Sequence, residues 1–596
     1  MMKELLMGNE AIAVGALAAG VQLVAGYPGT PSTEVLETIA KRNPGNVHVE
    51  WSVNEKAGAE VAAGAAYAGA RSLVTMKQMG LNVASDPVMC VNYIGVKGGM
   101  VIYVADDPGP ISSQTEQDTR HFGKYAKIPV FDCDSPEQAF TAVRDAFEFS
   151  ESHHTPVILR ATTRVCHACA DIEVPEIRVP KAPEGFVKDS KWVIFPKLSY
   201  KKKLELEARE PKIAAEFSKY PGNTIEGNGR IGIACGGISH AYVMEAIRGH
   251  EEKFTVLKVA TPYPFPTQLA EKFMEGVDQI IAFEELDPYI EDALIYMNRG
   301  RIKGKRTGTV PCAGELSAEI ISKIIEKETG IKTGIDHSEY SGAPDMPVRP
   351  PVLCAGCPHR GAFYAVKQAV KDRNAIFCGD IGCYTLGNAA PLDMVDTCLC
   401  MGAGVTMAQG LYHADNKTLN FAFVGDSTFF ASGITGVVNA VYNQAEMILV
   451  VLDNSTTAMT GHQPHPGIGR TMMGTMTEPV DIEKVLEGVG VKSVRTVDPR
   501  DYTASVAAVK ATADEKGVRA IIFKSPCIAI IKTPDKVKVD AEECIGCMRC
   551  IDQLGCPAII TRDEKAFIDR SLCTGCGLCS QICPKKCMNK EEKQND

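Results

Sequence analysis

The chain lacks any apolar run long enough to cross a membrane; no stretch reaches the roughly 18 residues that a span requires. The apolar segment from Ile12 to Tyr27 is broken by Gln22 and preceded by Glu4, Asn9 and Glu10, so it reads as a buried Ala/Gly-rich helix and not as a signal peptide. Positive charge is not in excess either. Lys and Arg number 63 against 73 Asp and Glu, a net charge of −10, which removes the electrostatic footprint of a nucleic-acid binder. No short-period repeat is present, which excludes a solenoid. The G-x-G-x-x-G fingerprint is also missing, so Gly236-Gly237 reads as a close-packed turn and not as a phosphate cradle. Outside the C-terminal region the cysteines follow no disulfide framework. Loose thiols in a chain with 21 Met belong in a reducing cytoplasm and point to an anaerobe.

What is present is concentrated near the C-terminus. The chain reads Cys544-x2-Cys547-x2-Cys550-x5-Cys556-Pro557, then Cys573-x2-Cys576-x2-Cys579-x3-Cys583-Pro584. Thiolates at this spacing wrap [4Fe–4S] cubes, and the fourth cysteine of each run serves the other cluster. Cys544, Cys547, Cys550 and Cys583 are expected to hold one cluster, and Cys573, Cys576, Cys579 and Cys556 the second. Zinc knuckles and disulfides are the alternatives, but zinc favours two separated pairs over a tight triplet closed by Cys-Pro. The first run has five residues before Cys556 where three are usual, and Cys587 falls outside the pattern.

Length allows roughly three to five domains. Residues 1–180 alternate helical and strand patterns, with helices predicted at Glu10–Ala25, Thr33–Arg42 (capped by Ser32) and Asn54–Ala70. Buried strands are predicted at Val101–Val104 and Pro156–Arg160, giving a parallel sheet covered on both faces. Residues 181–228 form a charged, helical connector, 229–335 a small α/β unit, and 336–350 a proline-stiffened linker. A third α/β unit spans 345–532. The cysteine-rich, ferredoxin-like module follows at 536–588, and a charged tail, Asn589–Asp596, closes the chain.

In the third unit the strand-like run Leu419–Val424 ends in Gly425-Asp426-Ser427, and a second run, Met447–Leu452, ends near Asn454. Two parallel strands joined by a helix place Asp426 and Asn454 at the same carboxyl edge of a sheet, where ligands bind. A carboxylate and an amide oxygen suit Mg²⁺, and Gly425 lets the backbone approach a diphosphate. Gly-Asp followed by Asn resembles the thiamin diphosphate motif. The run from Asp453 through Gln463, together with Gly379-Asp380-Ile381-Gly382-Cys383 and Cys354-Ala355-Gly356-Cys357-Pro358, resembles the 2-oxoacid:ferredoxin oxidoreductases. The resemblance implies that the backbone carbonyl of Thr456 completes the metal site and that Gly379, Asp380 and Cys383 lie at the cofactor. From the residues alone, the Cys354-x2-Cys357 pair is open to a zinc or redox role, but it has no matching second pair and reads first as thiols lining the pocket. His359, His462 and His465 are polar candidates for substrate contact, although each such histidine is more often a satisfied structural one.

Glu55 opens an Ala/Gly-rich helix. It has two readings, a plain first-turn glutamate or one seated in an apolar pocket for proton transfer. The resemblance favours the second. Tyr27-Pro28-Gly29-Thr30-Pro31-Ser32 is similar to a loop of the same family in which the threonine meets the substrate carboxylate, and Glu55 stands where the family places its thiamin-activating glutamate. Gly29 replaces a common Ile there. The order of units, with 229–335 similar to the transketolase C-terminal domain, looks like the alpha subunits that act on aryl pyruvates such as indolepyruvate and phenylpyruvate. That likeness implies oxidative decarboxylation with CoA, electrons leaving through two [4Fe–4S] clusters to external ferredoxin, and a smaller beta subunit in a hetero-oligomer. Oxidation of pyruvate or a branched-chain 2-oxoacid, non-oxidative thiamin-dependent decarboxylation, and an electron-transfer subunit with an inactive thiamin fold remain the alternatives.

Overall fold

Short runs of Val, Ile and Leu, each followed by a helix, pair in parallel because the crossover returns the chain to the same end of the sheet. The computed structural model shows this three times over. It describes residues 2–177, 179, 182–297, 302–335, 344, 346–532 and 536–590, and the chain divides into two compact units, Met1–Ala343 and Pro344–Asp596.

The first unit holds a six-stranded parallel sheet in the order His48–Trp51, Leu23–Gly26, Ser72–Lys77, Met100–Asp106, Val157–Thr162, Val130–Asp132. Met100–Asp106 and Val157–Thr162 are buried along their whole length, as strands covered on both faces must be. The expected helix over Glu10–Ala25 is shorter, Gly8–Ala18. Gly20 adopts a positive φ of 74° and turns the chain, and Leu23–Gly26 then pairs between two neighbours as a strand. Ser32 does not cap Thr33–Lys41 through its side chain; its hydroxyl donates back to Gly29 O (2.7 Å) and braces the preceding turn. Asn54 does cap the helix Glu55–Tyr67, its Oδ1 accepting from Ala57 N (2.9 Å).

A second sheet in this unit runs Ile302–Lys303, Gln279–Phe283, Ile231–Cys235, Phe254–Lys258, Thr224–Gly227, with the last strand antiparallel. The charged connector is helical at Pro196–Phe217, but its final residues belong to this sheet. Four residues with no apolar alternation gave no strand signal; pairing with Phe254–Lys258 supplies the structure. A Cβ on Gly236 would lie 2.7 Å from Val259 O, so the Gly-Gly turn is set by close packing. Buried ion pairs of Arg120 with Asp118 and Glu284, and of Arg160 with Asp106 and Asp132, join the elements.

The second unit contains a five-stranded parallel sheet ordered Ala375–Cys378, Leu419–Gly425, Met447–Asp453, Val518–Lys524, Ser493–Val497. Its first four strands deliver Gly379, Asp426, Asn454 and Ser525 to one carboxyl edge. The cysteine-rich module packs in the same unit. It consists of two short helices, Arg549–Asp552 and Leu578–Ile582, the hairpin Ile559–Arg562 with Lys565–Ile568, and the pair Val537–Val539 with Met588–Lys590. Residues 336–343 of the expected linker, and the tail from 591, lie outside the described residues. Among the described residues no helix is long and apolar enough to cross a membrane.

Candidate functional site

Asp426 and Asn454 meet where their strands end. Asp426 is 3% exposed, and its Oδ2 accepts from Asn454 N (3.1 Å), Ser455 N (2.8 Å) and His465 Nε2 (3.1 Å), while Oδ1 accepts from Ser427 N (2.8 Å). Burial opposes its charge, but the His465 and backbone hydrogen bonds outweigh it and hold the carboxyl below the usual range. Ser455 takes φ 60°, the left-handed turn that folds the loop back over the carboxylate. Asn454 Nδ2 lies 3.2 Å from His359 Nε2. Burial pushes His359 down to about 4, so its neutral ring accepts from the amide. That fixes Asn454 with Oδ1 as its acceptor face, where Thr456 N donates (3.2 Å). Asp426, Asn454 and the Thr456 backbone therefore form an all-oxygen donor set fit for a hard cation. His359 and His465 hold the donors and do not stand apart as a substrate pair; His462 is exposed.

The glycines at this edge serve packing first. A Cβ on Gly425 would lie 2.6 Å from the Tyr384 ring, and one on Gly379 would lie 2.7 Å from Val395 Cγ1. Tyr384 also donates to Asp380 Oδ1, and Gly402 N donates to Oδ2 (3.0 Å). Burial pushes Asp380 up to about 8 against those bonds. Its side chain is committed within the protein, so a diphosphate would meet the backbone here and not this carboxyl.

The thiols fall into three groups. Cys544, Cys547, Cys550 and Cys583 line one small cavity. Cys587 is not outside it: its Sγ lies 3.4 Å from Cys583 Sγ. Cys556, Cys573, Cys576 and Cys579 are mutual electrostatic neighbours, and Cys579 also feels Cys550, so the two groups adjoin. Both donor sets fit the clusters expected of them. The long gap before Cys556 has a physical use. Leu554 and Gly555 turn their carbonyls to Arg360 Nη1 (2.9 and 2.7 Å), while Nη2 binds Leu353 O (2.5 Å).

A third group escaped the sequence analysis. Cys357, Cys383 and Cys527 each lie within electrostatic reach of Cys354; burial pushes Cys357 up to about 12, and burial with the neighbouring Cys527 and Cys354 pushes Cys383 up to about 11. Cys527 N donates to Asn454 O (2.9 Å), which ties this group to the metal loop. On its other side a Cβ on Gly356 would strike Thr574 Oγ1, so the group also abuts the second thiol set. Thiols gathered around Cys354 are the ligand type that iron–sulfur clusters use. The signal was the C-x2-C pair, whose partners come singly from distant loops and not as a second pair.

In the first unit Glu55 is half-buried. Its Oε1 would lie 2.6 Å from a Cβ on Gly80, so any larger residue there would push the carboxyl from this position. Burial raises its carboxyl above the usual range, against a backbone hydrogen bond and the charge of Lys77. Thr30 sits in a braced turn: its carbonyl accepts from Ser112 Oγ (3.3 Å), and Pro31 O accepts from Asn9 Nδ2 (2.6 Å).

Family models match in three places. Residues 14–205 match the pyruvate flavodoxin/ferredoxin oxidoreductase thiamine diphosphate-binding domain, 380–523 the C-terminal TPP-binding domain of thiamine pyrophosphate enzymes, and 536–584 the 4Fe-4S dicluster domain. The indolepyruvate oxidoreductase subunit IorA of Archaeoglobus fulgidus is 39% identical over 98% of this chain and 97% of its own length. That of Pyrococcus horikoshii is 39% identical over 98% and 96%. The ketoisovalerate oxidoreductase subunit VorB of Methanothermobacter marburgensis reaches 25% over 48% of this chain and 86% of its own length. Thiamin diphosphate and iron–sulfur clusters are the cofactors these domains bind, and the donor sets above fit both. With end-to-end likeness at this level, the chain belongs to the IorA subunits of the thiamin diphosphate-dependent 2-oxoacid:ferredoxin oxidoreductases.

Proposed function

We propose that this subunit serves the oxidative decarboxylation of aryl pyruvates, indolepyruvate and phenylpyruvate among them, with CoA taking the acyl group and an external ferredoxin the electrons. One observation carries the aryl assignment. Likeness to the indolepyruvate subunits runs end to end at 38–39%, whereas a 2-oxoglutarate subunit matches at 28% over 30% of the chain and the ketoisovalerate subunit at 25% over 48%. Those relatives are named as subunits, which supports a second, smaller beta chain in a hetero-oligomer.

When bound, thiamin diphosphate supplies the carbon nucleophile and electron sink, and iron–sulfur clusters carry electrons singly. The chain's own residues do the rest. Asp426, Asn454 and the Thr456 carbonyl hold Mg²⁺, with His465 and His359 fixing the two side chains. Ser427 and the backbone around Gly379 and Gly425 face the diphosphate end. Glu55, whose carboxyl burial raises above the usual range, holds and returns a proton at its carboxyl oxygen. Thr30 meets the substrate carboxylate. Cys544, Cys547, Cys550 and Cys583 hold one cluster, and Cys573, Cys576, Cys579 and Cys556 another. A third is held by Cys354, Cys357, Cys383 and Cys527, the set nearest the metal loop. The three sets succeed one another from that loop toward Cys547, which is exposed.

The test is to purify the chain with its partner and compare indolepyruvate, phenylpyruvate and pyruvate as electron donors for a viologen dye in the presence of CoA. Aryl pyruvates are expected to give the higher kcat/KM. Equal or better use of pyruvate removes the aryl assignment. Release of an aldehyde without an electron acceptor makes the enzyme a decarboxylase.

A further inference from the structure

Lys77 ends the strand Ser72–Lys77 at the carboxyl edge of the first sheet. Its stem lies against Gly29: a Cβ on Gly29 would stand 3.4 Å from Lys77 Cγ and 3.5 Å from Cδ. The lysine stem thus packs directly along the Tyr27–Ser32 loop. The half-buried ammonium makes one long hydrogen bond, to Ser113 Oγ (3.4 Å), and among the described residues no carboxylate lies within ion-pair distance of it. The carboxylates whose charges it feels are Asp107 and Glu55. Asp107 is already engaged, Oδ1 by Thr163 Oγ1 (2.7 Å) and Oδ2 by Ser112 N (2.8 Å). Glu55 is packed against Gly80. A cation drawn from water without a close counter-ion is unfavourable unless an anion arrives to meet it.

We propose that Lys77 binds the carboxylate of the 2-oxoacid substrate, its stem packed along Gly29 and its ammonium beside the Gly29–Thr30 turn. The assignment rests on the functional reading above and extends it by naming the cation that Thr30, a neutral hydroxyl, cannot supply. A Cβ at position 29 would rest in van der Waals contact with the lysine stem, so the loop and the stem pack as one surface.

The experiment uses the complex of this chain with its partner, as wild type, Lys77→Met and Lys77→Arg. Two quantities are read: KM for phenylpyruvate, and the inhibition constant of its uncharged primary amide. A lost charge-assisted contact predicts that Lys77→Met raises KM on the order of 10- to 100-fold with kcat within a few-fold, moves the amide constant less than about threefold, and is largely rescued by Lys77→Arg. Hydrogen–deuterium exchange at the thiamin C2 of the substrate-free holoenzyme separates this role from one exerted through Glu55. The exchange keeps its wild-type rate if Lys77 serves the substrate. Equal weakening of acid and amide, or slowed exchange, overturns the proposal. Should Lys77→Met fail to retain its cofactors, Lys77→Gln takes the same comparison. A wild-type complex that turns over no 2-oxoacid defeats the functional reading itself, a distinct result.

Discussion

Around Asp426 both carboxylate oxygens are occupied, by three backbone amides and an imidazole, and the neighbouring amide of Asn454 is locked by His359. Around Lys77 the protein supplies far less: one long bond to Ser113, and a glutamate seated against a bare glycine. The first loop is finished before any ligand arrives, which is what the proposed metal site would require if its ligands are to be held within tenths of an ångström. The second leaves charge and hydrogen-bonding capacity unspent, which suits groups that meet a substrate or move a proton. Preorganisation and reactivity are thus divided between two places in the sequence, and each can be broken without the other.

The sharpest break is at Glu55. Glu55→Gln keeps the shape and removes the titrating carboxyl, so turnover should fall on the order of 10²- to 10⁴-fold while the cluster spectrum is unchanged. Its raised pKa fixes the stability sign. Between the unfolded and folded values the native carboxyl holds a proton that the unfolded chain has released, so stability falls as pH rises through that window. The amide escapes this loss and should melt no lower than wild type at pH 7. Turnover within threefold of wild type would remove Glu55 from the chemistry.

The opposite break is Asp426→Ala. It strands Asn454 N, Ser455 N, Ser427 N and His465 together, and loss of a buried charged acceptor costs about 3–5 kcal/mol. Binding of thiamin diphosphate with Mg²⁺, followed by calorimetry, should weaken at least roughly 100-fold. Retained affinity would place the metal elsewhere.

Much of this division was legible in residue order. Gly425-Asp426, Asn454 and the eight spaced cysteines announce themselves because their chemistry demands fixed local spacing. Glu55 needed the helix start and the family likeness, since a first-turn glutamate is common. What could not be read depends on contacts distant in sequence. Nothing near Cys527 hints that it lies beside Cys354 and Cys383, because the sheet edge brings together loops whose separations carry no period. The strand Leu23–Gly26 was hidden for a similar reason: an apolar run after a helix looks like more helix until a turn at Gly20 and two neighbouring strands decide otherwise. For His359 and His465 the sequence left a structural role and substrate contact both open, because the partners they meet, Asn454 and Asp426, are 95 and 39 residues away.

Cys527→Ser sharpens the account of the finished side. If the four thiols hold a cluster, iron per chain should drop by about four atoms, roughly a third of the total, with the remaining cluster signals retained. Iron content equal to wild type would remove Cys527 from any cluster and return Cys354 and Cys357 to the role of pocket lining.

The smallest expected effect tests whether the metal-side edge is as closed as its hydrogen bonds suggest. Burial pushes Asp380 up to about 8, so near pH 7 its carboxyl is protonated in the native state and ionised in the unfolded one. The unfolded chain then binds fewer protons, and stability should decline as pH rises from about 4 to about 8, at about 1 kcal/mol per unit, and level off above. Asp380→Asn copies the protonated form. Tyr384 can turn its proton to Ile381 O (3.2 Å) or Thr428 Oγ1 (3.3 Å) and accept from the new amide. In thermal melts of the cofactor-free protein the gap between Asp380→Asn and wild type should therefore widen in the variant's favour between pH 5 and 8. A gap that stays constant would mean that Asp380 is ionised at neutral pH. The carboxylate would then be a charge held at the cofactor edge, and the tight packing of Tyr384 over Gly425 would serve to aim it and not to bury it.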